Sequence, residues 1–157
     1  MGNFRKLVLL ALVFLVFFFG ACKGSNDTST DKELEKQLNS LLNDIVVELK
    51  TPKPIELTPR RFIELSSIIV VSNYYWSKEL IAKAQSSTNT NGISQEEVEL
   101  YLTDKKQKLL EAFSLTIEAF ESYAIKHQKE FQEFIKQNKD LVDKYNNLSS
   151  LVPTFEN

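Results

Sequence analysis

The apolar residues of this chain form one unbroken run followed by three amphipathic stretches. Residues 7–19 are all apolar and follow the basic pair Arg5-Lys6. In the rest of the chain, apolar residues recur every three or four positions, a spacing that predicts helices with one apolar face. The pattern therefore separates an N-terminal segment from a helical body.

The first amphipathic stretch predicts a helix over residues 31–50. Thr30 and Glu33 have the spacing of a capping box, in which two side chains bond to amide groups left free at a helix start. Pro52 and Pro54 are expected to end the helix, because proline lacks an amide donor and restricts the residue before it. The apolar stripe of this helix consists of Leu34, Leu38, Leu41, Leu42, Ile45, Val46 and Leu49.

A second helix is predicted to begin at Thr58-Pro59, a capping residue followed by proline at the first helical position. Its apolar face is wide, which is typical of a helix covered on more than one side. Residues 66–76 also allow a strand, because they are rich in β-branched and aromatic side chains. The cap before them and the helix-forming residues 77–85 favour the helix.

The third stretch follows a small, polar segment, residues 86–92, that predicts a loop. Ser94 and Glu97 form a second capping box, and residues 95–145 contain neither proline nor glycine. A continuous helix of that length would span about 75 Å, against about 42 Å for the second helix. We therefore expect it to overhang its neighbours, to bend back, or to contact another chain.

Three asparagines are the expected break points, namely Asn138 and the pair Asn146-Asn147. The predicted fold class is all-α: an antiparallel bundle of three long helices, the last either continuous or broken into a fourth segment. The helical domain is expected over residues 31–150, followed by a C-terminal tail over 151–157, because Pro153 ends regular structure.

The N-terminal apolar run has the layout of a secretory signal, with a basic start, a short core and a small-residue exit. Its 13 residues fall short of the roughly 20 that a membrane-spanning helix needs. The run ends at Phe19-Gly20-Ala21-Cys22, and Cys22 is the only cysteine. This motif resembles the lipobox of bacterial lipoproteins, and it is closest to the looser type of spirochaetes because Phe19 replaces the usual leucine.

The resemblance implies cleavage between Ala21 and Cys22 and attachment of lipid to Cys22. Residues 1–21 would then be the cleaved signal peptide and residues 22–30 a lipidated tether of small, polar composition. More than one acyl chain makes such an anchor firm. The protein is expected to be lipid-anchored in the cell envelope. Lys23, in place of an aspartate after the cysteine, favours the outer membrane over the inner membrane.

Composition narrows the range of partners. Without residues 1–21 the chain has 17 basic and 21 acidic residues, a net charge of −4. The two signs alternate along the sequence, so no nucleic-acid footprint and no polybasic membrane-binding strip is predicted. The expected partners are the membrane, through the lipid anchor, and an unknown protein, which could be a second copy of this chain.

No motif predicts catalysis, a cofactor or a metal. His127 is the only histidine, and a metal site needs several converging ligands, so we assign His127 a structural or interfacial role. With four glycines, two of them in the signal, the chain has no phosphate-binding loop. Carboxylates in the third helix alternate with lysines and predict a solvated face: Glu96, Glu97, Glu99, Glu118 and Glu121.

The expected function is therefore non-catalytic: a lipoprotein that presents a helical surface to a protein partner. An overhanging apolar stripe would mark an interaction site, since bare apolar surface is unfavourable in water. The candidate surface residues are Tyr74, Phe131, Phe134, Leu141 and Tyr145. Tyr74 belongs to the aromatic patch 74–76, whose other two residues are expected to fill the core.

The alternative function is a carrier or chaperone-like protein that binds an apolar ligand. Its groove would be lined by the phenylalanines of the third helix, Phe113, Phe120, Phe131 and Phe134. Ordinary core packing accounts for the same spacing.

Overall fold

The computed structural model describes residues 28–86 and 94–152. Within these ranges the chain is helical and contains no strand, which confirms the all-α class. The predicted signal peptide, Cys22 and residues 153–157 lie outside the described residues, as do residues 87–92 of the predicted loop. The helices are α1 (Thr28–Ile45), α2 (Pro59–Ser86), α3 (Gln95–Glu111), α4 (Ile117–Lys126), α5 (Gln128–Gln137) and α6 (Lys139–Leu151).

Helix α1 differs from its prediction at both ends. It begins at Thr28, so Thr30 is an internal residue and not the predicted cap. It ends at Ile45, before the two prolines, because the next amide groups bond elsewhere. The backbone amides of Glu48 and Leu49 donate to Oε2 of Glu64 on α2, at 2.9 and 3.0 Å. A longer α1 would need those amides for its own hydrogen bonds.

Helix α2 is the central element, because it contacts each of the other five helices. Its predicted start is confirmed: the amide of Arg61 donates to Thr58 Oγ1 at 3.3 Å. Residues 66–76 are helical, so the strand alternative is wrong. The core forms around α2 and contains the buried apolar residues Leu38, Ile45, Phe62, Leu65, Ile69, Val71, Tyr74, Leu110, Phe113, Phe120, Phe131 and Leu148.

Residues 95–145 do not form one continuous helix, so of the two alternatives the broken one is correct, with more breaks than the single one expected. The predicted capping box is present, with Ser94 and Glu97 bonded reciprocally. Helix α3 then ends at a turn in which the amide of Leu115 donates to Leu110 O at 3.0 Å. Ser114 takes the left-handed conformation (φ 60°) that closes many helices and usually belongs to glycine.

Two further breaks divide the rest of the chain. His127 lies between α4 and α5, and Asn138 lies between α5 and α6, both with φ and ψ outside the helical region. Asn138 was a predicted break, whereas Asn146 and Asn147 lie inside α6. Helices α5 and α6 pack on α2, and α6 also packs on α1. The chain therefore bends back on itself, one of the three outcomes that its length predicted.

Candidate interaction surface

The five residues predicted to form an interaction surface are not exposed. Tyr74, Phe131 and Leu141 are buried in the core. Phe134 and Tyr145 are partly buried and pack against it, and burial raises the pKa of Tyr145. Helices α5 and α6 fold back onto the rest of the protein. This covers the apolar stripe that contains Phe131, Phe134, Leu141 and Tyr145. These residues are therefore packing residues, and a contact surface has to be sought elsewhere.

The phenylalanines of the carrier hypothesis are also in packing positions. The ring of Phe62 on α2 stacks on Phe120 with centroids 4.7 Å apart and meets the edge of Phe131 at 5.2 Å. Phe113 is buried as well. These aromatic pairs join α2 to α4 and α5 by direct contact, as in an ordinary aromatic core. The geometry assigns them to the core and not to an open groove.

His127 lies on the surface at the break between α4 and α5. Its ring stacks on Tyr123 with centroids 4.3 Å apart, and its Nδ1 lies 3.1 Å from Oε2 of Glu130. Burial, and then the charges of Glu130 and Glu56, raise the pKa of Tyr123 to about 12. In the described part of the chain, no group of three or more potential ligands could hold a metal. The contacts of His127 are thus with Tyr123 and Glu130, both within one turn of it.

The end of α2 and the start of α3 extend beyond the buried residues of these two helices. The buried residues of α2 end at Tyr74, and those of α3 begin at Lys106. We call residues 75–86 of α2 and 95–105 of α3 the α2–α3 hairpin. Its apolar side chains are only partly covered: Tyr75, Trp76, Leu80, Ile81, Val98, Tyr101 and Leu102. Leu100 is 64% exposed, the most exposed of the large apolar side chains in the described residues.

Charged groups hold the two helices of the hairpin together. Lys83 Nζ and Lys105 Nζ donate to the two carboxylate oxygens of Glu79, at 2.7 and 3.1 Å. Both ammonium groups also lie over the ring of Tyr101, 5.3 and 5.2 Å from its centroid. The hydrogen bond from Lys83 is the largest cause that lowers the pKa of Glu79 to about 2, and the bond from Lys105 contributes. We call Glu79, Lys83, Tyr101 and Lys105 the Glu79 cluster.

The outward face of α3 combines one apolar side chain with acidic neighbours. Glu96, Glu97 and Asp104 lie three or four positions from Leu100 and are exposed with it. Residues at this spacing are neighbours on a helix surface. Sequence reasoning did not select Leu100, because it lies off the apolar stripe of Val98 and Leu102. The sequence feature that could have identified Leu100 is an apolar residue on a helix face that is otherwise charged.

The base of the hairpin is fixed to α1. Lys78 Nζ donates to Glu35 at 2.7 Å and to Asp31 at 3.2 Å, and Asn39 Nδ2 donates to the hydroxyl of Tyr75 at 2.9 Å. The bond to Glu35 is the main cause that raises the pKa of Lys78. Residues 31–39 of α1 therefore lie beside residues 75–78 of α2.

Comparison of the chain with protein-family models, with curated proteins and with solved structures gives no match. Among the described helices, none is both long enough and apolar enough to cross a membrane. Any assignment of function therefore depends on the N-terminal motif and on the geometry of the surface.

Proposed function

We propose that this protein is a non-catalytic bacterial lipoprotein, anchored through Cys22, that presents the α2–α3 hairpin to a protein partner. The resemblance of Phe19-Gly20-Ala21-Cys22 to a lipobox supports the anchor. The basic start and short apolar core before it support export. The absence of aspartate after Cys22 supports an outer-membrane location.

One observation supports the choice of the hairpin. Both of its helices extend past the last buried residue, yet they keep a row of apolar side chains that are only partly buried. Partly covered apolar surface with a polar rim is typical of interaction sites. The Glu79 cluster keeps this surface rigid, which lowers the entropic cost of binding.

The charges around Leu100 define the kind of partner. Glu96 and Glu97 form an acidic rim on one side of Leu100, whereas Asp104 on the other side already pairs with Lys108 at 2.7 Å. A complementary surface would therefore offer an apolar side chain with lysine or arginine beside it. A second copy of the chain would be complementary to this surface only if its own basic residues contacted the acidic rim.

The anchor is tested by radiolabelled palmitate in cells that produce the normal protein or Cys22→Ser. We expect label in the normal protein alone, because the variant lacks the sulfur that carries the lipid. The Cys22→Ser variant should also be missing from the membrane fraction. Equal labelling of the two proteins would disprove attachment at Cys22.

The hairpin is tested by a photo-crosslinking amino acid placed at Leu100 in cells. The matched control has the same group at Asn147, which is exposed on α6. We expect a discrete crosslinked species from position 100 and none from position 147. Its mass distinguishes a dimer of this chain from a complex with another protein. Equal crosslinking at both positions, or none at position 100, would reject the hairpin as the binding surface.

A further inference from the structure

Three large apolar side chains are exposed in the described residues, and they differ in the charges around them. Leu100 has the acidic rim beside it. Val47 follows the end of α1, and exposed Glu48 and Lys50 give its surroundings charges of both signs. Ile125 on α4 is 57% exposed and is followed by lysines. Of the other two, Ile125 is therefore the one whose surroundings oppose the acidic rim in charge.

Two lysines define the surface around Ile125. Lys126 is its neighbour in sequence, and Lys129 lies four positions further on, across the break at His127. Both lysines are exposed, and neither has a carboxylate partner in the part of the chain that the structure describes. We call Ile125, Lys126 and Lys129 the Ile125 surface. Like Leu100 with its acidic rim, it combines an exposed apolar side chain with two like charges, but the sign is opposite.

The order of the charges along the helices fits an antiparallel contact. The acidic rim precedes Leu100 on α3, and the lysines follow Ile125. When two helices pack antiparallel with Leu100 opposite Ile125, residues before one lie opposite residues after the other. Glu96 and Glu97, four and three positions before Leu100, then lie opposite Lys129, four positions after Ile125. Opposite charges thus meet beside an apolar contact, which favours both encounter and register.

The other charges of the two helices are compatible with this alignment. Lys108 on α3 comes opposite the exposed Glu118 on α4. Asp104 and Glu121 also come near each other, but each already has a basic partner. Asp104 pairs with Lys108 and Glu121 pairs with Lys106, both at 2.7 Å. Unlike charges therefore meet along about three turns of each helix.

We propose that the partner of the hairpin is a second copy of this chain, whose Ile125 surface binds Leu100 and the acidic rim. This inference rests on the proposed function of the hairpin and names its partner. The contact joins two different surfaces, so every copy carries both halves of it. Two copies that exchange both contacts form a closed dimer, whereas copies that exchange one contact at a time form a row.

Photo-crosslinking at Leu100 tests the contact when the site of attachment is mapped. The full-length chain with the crosslinking group at position 100 is produced in cells, and the crosslinked species is digested with trypsin and analysed by mass spectrometry. We expect a species with twice the mass of the chain. In it, position 100 should be joined to the peptide 109–126, which contains Ile125.

Charge exchange tests the same contact without a crosslinker. Two full-length copies with different affinity tags are produced together and solubilised from membranes. Glu96→Lys in both copies, or Lys129→Glu in both, places like charges across the contact, so co-purification should fall several-fold. One variant in each copy restores opposite charges in both contacts, and co-purification should recover, which a misfolded variant could not do. The control is Lys139→Glu, the same charge change at an exposed position of α6, and it should have no effect.

The results separate failure of this inference from failure of the proposed function. A crosslink from position 100 to a different protein, or to another peptide of this chain, would overturn the Ile125 surface as the partner and keep the hairpin as a binding surface. No crosslink from position 100 would reject both. Variant pairs that co-purify as well as the normal pair, or a mixed pair that does not recover, would show that these charges do not face each other.

Discussion

Glu64 is the residue whose charge shapes the fold most directly. It is fully buried, and its two carboxylate oxygens accept three hydrogen bonds: Oε2 from two backbone amides, and Oε1 from Arg60 Nε at 3.0 Å. Arg60 and Arg61 also approach the carboxylate of Glu48, at 3.5 and 2.9 Å. This network explains why α1 ends where it does and how the following segment is held against α2.

Replacing Glu64 with alanine should destabilise the protein strongly. The change leaves two amides without their acceptor and leaves Arg60 with Glu48 alone, which costs roughly 3 kcal/mol in the free energy of unfolding. Urea denaturation followed by circular dichroism measures it. The control is Glu133→Ala, which removes an exposed pair with Lys136 and should cost less than about 0.5 kcal/mol. Similar losses in the two variants would contradict the role given to Glu64.

Single residues also show what local sequence rules can predict. Thr58 and Ser94 cap their helices as predicted, because a cap depends on residues within one turn. The turn at Ser114 was missed, because a serine in the left-handed conformation has no distinctive sequence signal. Thr116 caps α4 through a bond from the amide of Ala119, and it was missed as well. Glu64 was missed because its partners are distant in sequence.

At the scale of the elements, the α2–α3 hairpin depends on polar contacts where the core does not reach. None of the hairpin residues described, 75–86 of α2 and 95–105 of α3, is fully buried. The Glu79 cluster joins them instead. Exposed ion pairs are individually weak, but one carboxylate shared by two lysines over one ring couples several contacts. The hairpin should therefore respond to pH more than the core does.

The lowered pKa of Glu79 determines in which direction pH changes the stability of the hairpin. It falls from an ordinary value of 4.5 to about 2 in the folded protein, so the ionised carboxylate stabilises the fold above pH 4.5. That contribution disappears as the pH falls from about 4.5 to about 2. We expect Glu79→Gln to lower Tm at pH 6 and to match the normal protein near pH 2, as measured by circular dichroism.

A matched control separates this cluster from general acid effects. Glu33→Gln changes an exposed carboxylate of α1 that contacts Gln37 and leaves the Glu79 cluster intact. Its Tm should follow that of the normal protein at each pH. A Tm difference for Glu79→Gln that stays constant from pH 6 to pH 2 would show that ionisation of Glu79 does not stabilise the hairpin.

Helix boundaries divide into those that follow from sequence and those that follow from packing. The breaks around His127 and at Asn138 bring α4, α5 and α6 back onto α2, so that Phe120 and Phe131 both reach Phe62. The lack of proline and glycine over residues 95–145 allowed one long helix, with asparagines as the only expected break points. Tertiary contacts overrode that local preference, and only the asparagine gave a local signal at one break.

At the scale of the whole molecule, the fold-back decides which apolar residues are surface and which are core. Sequence periodicity correctly identified an apolar stripe in the last third of the chain. It could not show what would cover the stripe, since that depends on the path of the chain. Leu141 is buried in the structure, whereas Leu100, which the periodicity did not select, is exposed.

Two glutamate substitutions should distinguish a core position from a surface position. Leu141→Glu places a charge in the core and should lower the free energy of unfolding by roughly 3 kcal/mol or more. Leu100→Glu changes an exposed position and should alter it by less than about 0.5 kcal/mol. Urea denaturation followed by circular dichroism measures both changes. An unfolded Leu100→Glu, or a fully stable Leu141→Glu, would reverse the assignment.

The packing of α6 on α1 has a consequence for the synthesis of the protein. These are the first and last helices of the described chain, and more than ninety residues separate the end of α1 from the start of α6. Contacts between such distant segments form late, after the intervening chain has been made. A chain interrupted before residue 139 would lack one of the two helices that cover α1. The leucines of α1 would then stay partly bare, and such a fragment would be a target for proteolysis.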